Sequence, residues 1–298
     1  MNINIQYDVF IRGEEMSTNP LKKYFRKPAL YIKLPTGGKF NPEISQTALD
    51  EIGVCPMTAI DEISLKNPDA LLNGEALISV IKSCCPDIPD PRKICNIDAE
   101  AIYLAIQYAT YGADLSHSHT CEKCDNTNDF NIDVNYILNR LPEIENPEPV
   151  VWEDIKINVR PANVESITRL SIIELEQKKI IANIQANAGA SLEEGESTRL
   201  AKTLYTSYAK IAGLNVELLA NVIDSVETPD GVVTDNEMIV EFLNNIPSTV
   251  VEKINEKARK ISKRPKETSE FEFVCPECEH KQVVVLEVNP VNFFTRGS

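Results

Sequence analysis

FEFVCPECEHKQV, residues 271–283, carries two thiols three positions apart, Cys275 and Cys278, between segments of alternating polarity. Two sulfurs alone admit a disulfide, a redox couple or half of a metal site. The other half lies far upstream, where Thr120-Cys-Glu-Lys-Cys-Asp125 repeats the spacing at Cys121 and Cys124. Each pair is entered by an alternating stretch, LSHSHT (115–120) or EFEFV (270–274), and left by another, NDFNIDV (128–134) or KQVVVLEV (281–288). A period of two is that of a strand, so each pair reads as strand, knuckle, strand.

Two such hairpins facing each other place four thiolates around one ion at about 2.3 Å, the closed tetrahedral geometry of structural zinc. Cys121, Cys124, Cys275 and Cys278 are therefore the candidate metal ligands, for one structural Zn2+ per chain; iron can also occupy four cysteines. The 150 residues separating Cys124 from Cys275 far exceed the spacing of a compact ribbon. Closure entropy grows only logarithmically, at about 0.6 kcal/mol per doubling, so the long interval does not exclude the site. It implies a folded insertion whose base the metal clamps.

Rival readings bear on the same residues. A dithiol redox centre belongs at a strand-to-helix junction, and both pairs here lead into strands. Two separate sites would draw on His117, His119 and His280, the three histidines, all of which flank the pairs. Exposed strand residues or groups hydrogen-bonded behind the ligands are the alternative role for them. Four sulfurs leave no open coordination position, which argues against a catalytic ion. Cys55, Cys84, Cys85 and Cys95 lack a matching spacing and read as small buried hydrophobes.

Composition narrows the class. The chain has 298 residues, 43% of them hydrophobic, enough for two domains or one with a large insertion. No stretch approaches the roughly 18 consecutive apolar residues of a membrane span. The N-terminus MNINIQYDVF lacks a basic start and apolar run, so a reducing cytoplasm is expected, where cysteines favour metals or burial over disulfides. With 30 basic and 45 acidic residues the formal charge is −15, which opposes nucleic acid as a partner. Lys22, Lys23, Arg26 and Lys27 form a local basic cluster, and 253–266 another with the spacing of a solvated helix face.

Along the chain, Ile3, Ile5, Tyr7, Val9 and Ile11 alternate with polar residues, as in a half-buried strand or an arm that adds to a neighbour. A strand over 29–34 runs into Pro35-Thr-Gly-Gly38. Thr58 caps a short helix, Asn67-Pro68 starts another that Gly74 stops, 75–85 is broadly buried, and Asp98 caps a helix that Gly112 ends. PEIENPEP (142–149), with three prolines and three glutamates, reads as a linker. After the strand-like VVWEDIKINVRP (150–161) come a long amphipathic helix over 163–187, a Gly189–Gly195 loop, and an antiparallel partner helix over 196–212. Asp230-Gly231 marks a hairpin, followed by helices over 235–244 and 248–263. The fold class is α+β. An N-terminal arm and mostly helical unit with leading strands occupies 1–112, the split ribbon 113–136 plus 269–289, a largely helical inserted domain 150–265, and a tail 290–298.

PLKKYFRKPALYIKLPTGGKF (20–40), PMTAIDEISLKNPDALLNGEALISVIKSC (56–84) and IDAEAIYLAIQYATYG (97–112), followed by the first cysteine pair, resemble the baseplate hub protein family of T-even-like contractile-tailed bacteriophages, the myoviruses. The resemblance is strong over 19–135 and thinner beyond Trp152, where PDGVVTDNEMIVEFLNNIP (229–247) and the last cysteine pair remain compatible with longer members. It implies a non-enzymatic virion tail component or hub-assembly factor, assembled in the host cytoplasm. It further implies contact with other baseplate and tail hub proteins or a tape measure protein, in multiple copies within a symmetric assembly. No catalytic residue carries across. The alternating N-terminal strand and the tail with Phe293 and Phe294 are candidate contacts. The second reading is a zinc-ribbon nucleic-acid-binding or transcription-associated protein, which the net charge opposes. An enzyme would need a cleft that no motif announces.

Overall fold

A computed structural model describes residues 19–41, 44, 51–67, 70–71, 74–141, 143–144, 146–187, 205–206, 211–262 and 269–286. The N-terminal alternating segment, the Gly189–Gly195 loop, most of the 196–212 helix and the 290–298 tail lie outside them. Among the described residues, no helix is long and apolar enough to cross a membrane.

The first unit opens with a two-stranded antiparallel sheet, β1 (Leu30–Ile32) against β2 (Ile52–Val54). β2, only three residues long, was not legible as a strand. Helix α1 (Ala59–Leu65) begins at the expected Thr58, whose hydroxyl accepts from the Asp61 N–H while Asp61 accepts from the Thr58 N–H. These reciprocal bonds satisfy donors that a helix start otherwise leaves open. Gly74, at φ 74°, ends a turn with its N–H on the Leu71 carbonyl and also serves as N-cap of α2 (Glu75–Cys84). That φ is open to glycine at little steric cost.

Helix α3 (Asn96–Tyr111) is apolar on nearly every side, with Ile97, Ala99, Ala101, Ile102, Leu104, Ala105 and Ile106 buried. An all-round apolar helix belongs at the centre of a core, and α3 forms that centre for the first unit. Gly112 ends it at φ 90°, as expected. Asp98, read as its cap, lies instead inside the first turn, and Cys95 is the N-cap. The Asp98 carboxylate is fully buried and accepts from the Thr36 N–H and hydroxyl and from Asn41 Nδ2. The loop after β1 thus claims the acceptor that local sequence assigned to the helix.

Hairpin β3 (Asp114–Thr120) and β4 (Thr127–Asp133) leaves this core, and short helix α4 (Val134–Leu138) returns to it. The polar linker follows. A middle unit then folds around one antiparallel sheet in the order β5 (Val150–Trp152), β6 (Ile155–Val159), β7 (Ile223–Thr228), β8 (Gly231–Val233). The predicted Asp230-Gly231 turn joins β7 to β8. Helix α5 (Val164–Asn187) and helix α6 (211–220) follow β6, and α7 (Asn236–Asn245) and α8 (Ser248–Ile261) follow β8. α6 runs well past the expected end at Ala212, and its Ile211 and Leu218 pack with Ile173 of α5. The strand-like 150–161 and the hairpin at Asp230-Gly231 join in the one four-stranded sheet, whose Ile157, Val159, Ile223 and Val226 share a core with Ile239, Leu243, Val250 and Ile254 of α7 and α8.

Backbone bonds join the two units: Asn96 N–H donates to the Ala162 carbonyl at 2.7 Å and Val164 N–H to the Ile94 carbonyl at 2.9 Å. Val150 near the start of the middle unit and Ile261 at its end pack in the same cluster. Residues from both ends of the unit therefore pack on one core. It then forms the last hairpin, β9 (Glu270–Val274) with β10 (Lys281–Val285). Leu115, Ile132, Leu286 and Phe271 from the roots of both cysteine hairpins meet the first unit's core.

Candidate metal centre

Both hairpins solve the same local problem in the same way. Strands pair on either side of each knuckle, Thr120 with Thr127 and Val274 with Lys281. Inside the knuckles, Cys121 N–H donates to the Asn126 carbonyl and Asp125 N–H to the Cys121 carbonyl, while Cys275 N–H donates to His280 and Glu279 N–H to Cys275, all at 2.9 to 3.0 Å. Asp125 and Glu279, each following the second cysteine, both sit at φ 56°. Asp is among the side chains that enter this left-handed region more readily; Glu enters it rarely. Two copies of one turn thus present sulfurs on a common side.

Because the hairpin roots share a core, the tips face each other. The Sγ atoms of Cys121, Cys124, Cys275 and Cys278 all lie within 4.8 Å of one another. Contacts cross between the hairpins: Cys121 to Cys278 and Cys124 to Cys275, each at 3.7 Å. A disulfide needs about 2.05 Å. A tetrahedron of sulfurs about 2.3 Å from a central ion has edges of about 3.8 Å. The spacing fits an ion and does not fit a bridge between thiols. Cys121 and Cys275 are buried, Cys278 is half-buried and Cys124 exposed.

Electrostatics point the same way. Burial pushes the Cys275 thiol up, but the N–H groups of Cys278 and Glu277 and the thiols of Cys124 and Cys278 draw it down to about 7. At Cys124 the Asn126 N–H lowers the value, yet burial and the three neighbouring thiols push it up to about 12. Thiols this close oppose one another's ionisation, because like charges would share one site. A soft cation removes the conflict, since it ligates thiolates and releases their protons. The four cysteines can therefore hold a metal ion with four sulfurs, and the donor set suits zinc or iron.

None of the histidines belongs to this cluster of four. His117 packs edge-on against Phe130 at 5.3 Å and His119 against Phe273 at 5.8 Å, and those two phenyl rings lie 5.0 Å apart. Phe130, Phe273 and Val284 form a small apolar cluster with the cysteines. Sequence reasoning missed two polar side chains at the knuckles, one of them against a sulfur. Asn128 Nδ2 donates to Cys275 Sγ at 3.6 Å, and Gln282 Oε1 accepts from the Glu122 N–H at 3.3 Å. The signal was present, because each stands four places after the second cysteine of its pair.

Cys55, Cys84, Cys85 and Cys95 are buried and free, as expected. Burial pushes the Cys84 thiol up to about 11 and also raises those of Cys85 and Cys95, which makes them inert. Of the first basic cluster, Arg26 turns inward: its guanidinium donates to the Pro56 and Ser83 carbonyls and reaches Asp61 at 3.3 Å. It is part of the fold and not available to phosphate.

Fold and site together define an α+β protein with a ribbon split between two distant hairpins and closed by four cysteines. The chain belongs to the family of the T4 bacteriophage base plate protein, whose profile matches residues 30–295, most of its length and both hairpins. No curated protein matches it, and no solved structure does. Membership supports a structural role in a phage tail baseplate and interaction with other tail proteins.

Proposed function

We propose that the protein is a structural component or assembly factor of the baseplate hub of a contractile phage tail, acting through protein contacts on a zinc-stapled scaffold. The observation that carries the proposal is the meeting of four thiols from hairpins 150 residues apart in a chain of a baseplate family. Cys121, Cys124, Cys275 and Cys278 hold one Zn2+, which when bound supplies a closed, redox-inert cross-link. The protein's own contribution is to set the sulfurs: β3 and β4 fix one pair, β9 and β10 the other. Locking both hairpins onto one core makes a rigid body with defined surfaces, which a symmetric assembly requires.

A net charge of −15 and the inward commitment of Arg26 weigh against the nucleic-acid alternative. The test is twofold. Finished particles should contain the chain, or tail-assembly intermediates should if it acts only during assembly, and purified protein should bind hub or tape-measure components. Absence from both particle and intermediates, with no binding to any tail component, overturns the role.

A further inference from the structure

We infer that the side-chain amides of Asn128 and Gln282 are reciprocal outer donors to the sulfurs, Asn128 to Cys275 and Gln282 to Cys121, and that they govern how tightly the site retains its ion. The inference rests on the metal reading above. Asn128 and Gln282 occupy the same register position in the two hairpins, paired with His119 and Phe273 respectively. Each amide reaches from its own exit strand to the opposite knuckle.

The orientation of both amides is fixed by backbone partners. Asn128 Nδ2 also donates to the Asn126 carbonyl, so the nitrogen is the end that faces Cys275 Sγ. Gln282 Oε1 accepts from the Glu122 N–H, so its nitrogen is the free end, and Gln282 Nε2 is buried with no partner. A buried donor without an acceptor is costly and requires an explanation. The two-fold relation of the hairpins supplies one: the counterpart of Cys275 is Cys121, adjacent to the residue that anchors Gln282. A metal-bound thiolate is an anionic acceptor for such a donor.

The two knuckles also account for the different side-chain lengths. The residue after Cys275 is Pro276, which has no N–H to offer an amide oxygen; on that knuckle the shorter Asn128 reaches the sulfur. The residue after Cys121 is Glu122, whose N–H takes Oε1, and the extra methylene of glutamine spans both partners. Such donors stabilise thiolate ligands and typically change metal affinity by about 10- to 100-fold.

The experiment loads the full chain with Zn2+ and, separately, Co2+, comparing wild type with Gln282→Met and Asn128→Leu, which retain size and remove the donor. Competition against a chelator of known strength should show about tenfold weaker Zn2+ retention in each variant. The cobalt complexes should stay tetrahedral while the sulfur-to-cobalt band moves to lower energy. The sites lie on separate strands, so a variant that fails to fold leaves the other as the reporter. Wild-type retention and an unmoved band in a folded variant overturn the inference and leave the metal reading standing. A wild-type protein that takes up neither ion overturns both.

Discussion

On the proposed metal reading, removal of the ion should release the two hairpins locally while the helical core keeps its protection. A cross-link stabilises by the closure entropy it removes from the open state, about 5 kcal/mol for a 150-residue loop in the chain-entropy account. That figure does not apply here, because both hairpin roots are already held by Leu115, Ile132, Phe271 and Leu286 in the first unit's core. With that core formed, the circuit closed by the ion runs from Leu115 to the first sulfurs and from Cys275 back to Phe271, about a dozen residues, and the same relation gives about 3 kcal/mol. Three kcal/mol corresponds to roughly a hundredfold in an opening equilibrium. Amide exchange on the full chain, with and without a strong chelator, should therefore show protection falling about a hundredfold over 114–133 and 270–285 and little change in α3. Unchanged exchange in both hairpins, or an equal loss throughout α3, refutes the reasoning.

Three further predictions concern the scaffold. Gly74→Ala meets two obstacles, a φ of 74° and a Cβ only 2.6 Å from Thr168 Oγ1, and denaturant unfolding should show a loss of about 2 kcal/mol or more, partly restored by Thr168→Ala. Asp98→Ala leaves the buried Thr36 and Asn41 donors without their acceptor, and the same assay should show a loss of about 3 kcal/mol or more. Asp61 and Asp98 should act oppositely with pH. Burial pushes Asp61 up, but Thr58, Ser83 and Arg26 more than offset it and hold it below the ordinary 3.8, so its contribution is present above pH 3.8 and lost as pH falls through the depressed value. Burial holds Asp98 above 3.8 despite bonds from Thr36, Cys95 and Asn41, so the pH-dependent part of its contribution is complete below pH 3.8 and lost as pH rises through the raised value. Unfolding measured against pH for Asp61→Asn and Asp98→Asn checks both signs.

What the sequence revealed was local or strongly patterned. The Thr58 cap, the Gly112 stop and the Asp230-Gly231 turn depend on neighbours within a few residues, and each formed as read. The cysteine spacing was legible because a knuckle repeats the same turn wherever it occurs. Asp98 was misread because an acidic residue near a helix start normally caps it, and only the fold brings Thr36 and Asn41 to its carboxylate. The joining of 150–161 and the 230–231 hairpin into one sheet was not legible because the two lie far apart in the chain, and nothing in the alternation of 155–159 announces β7 as a neighbour. The amides of Asn128 and Gln282 have meaning only after the hairpins face each other.

X-ray absorption at the metal edge, with elemental analysis of the purified full chain, addresses the central claim most directly. The account predicts one ion per chain surrounded by four sulfurs at about 2.3 Å, the zinc–thiolate distance. A metal-free protein, or a shell containing nitrogen or oxygen, contradicts it.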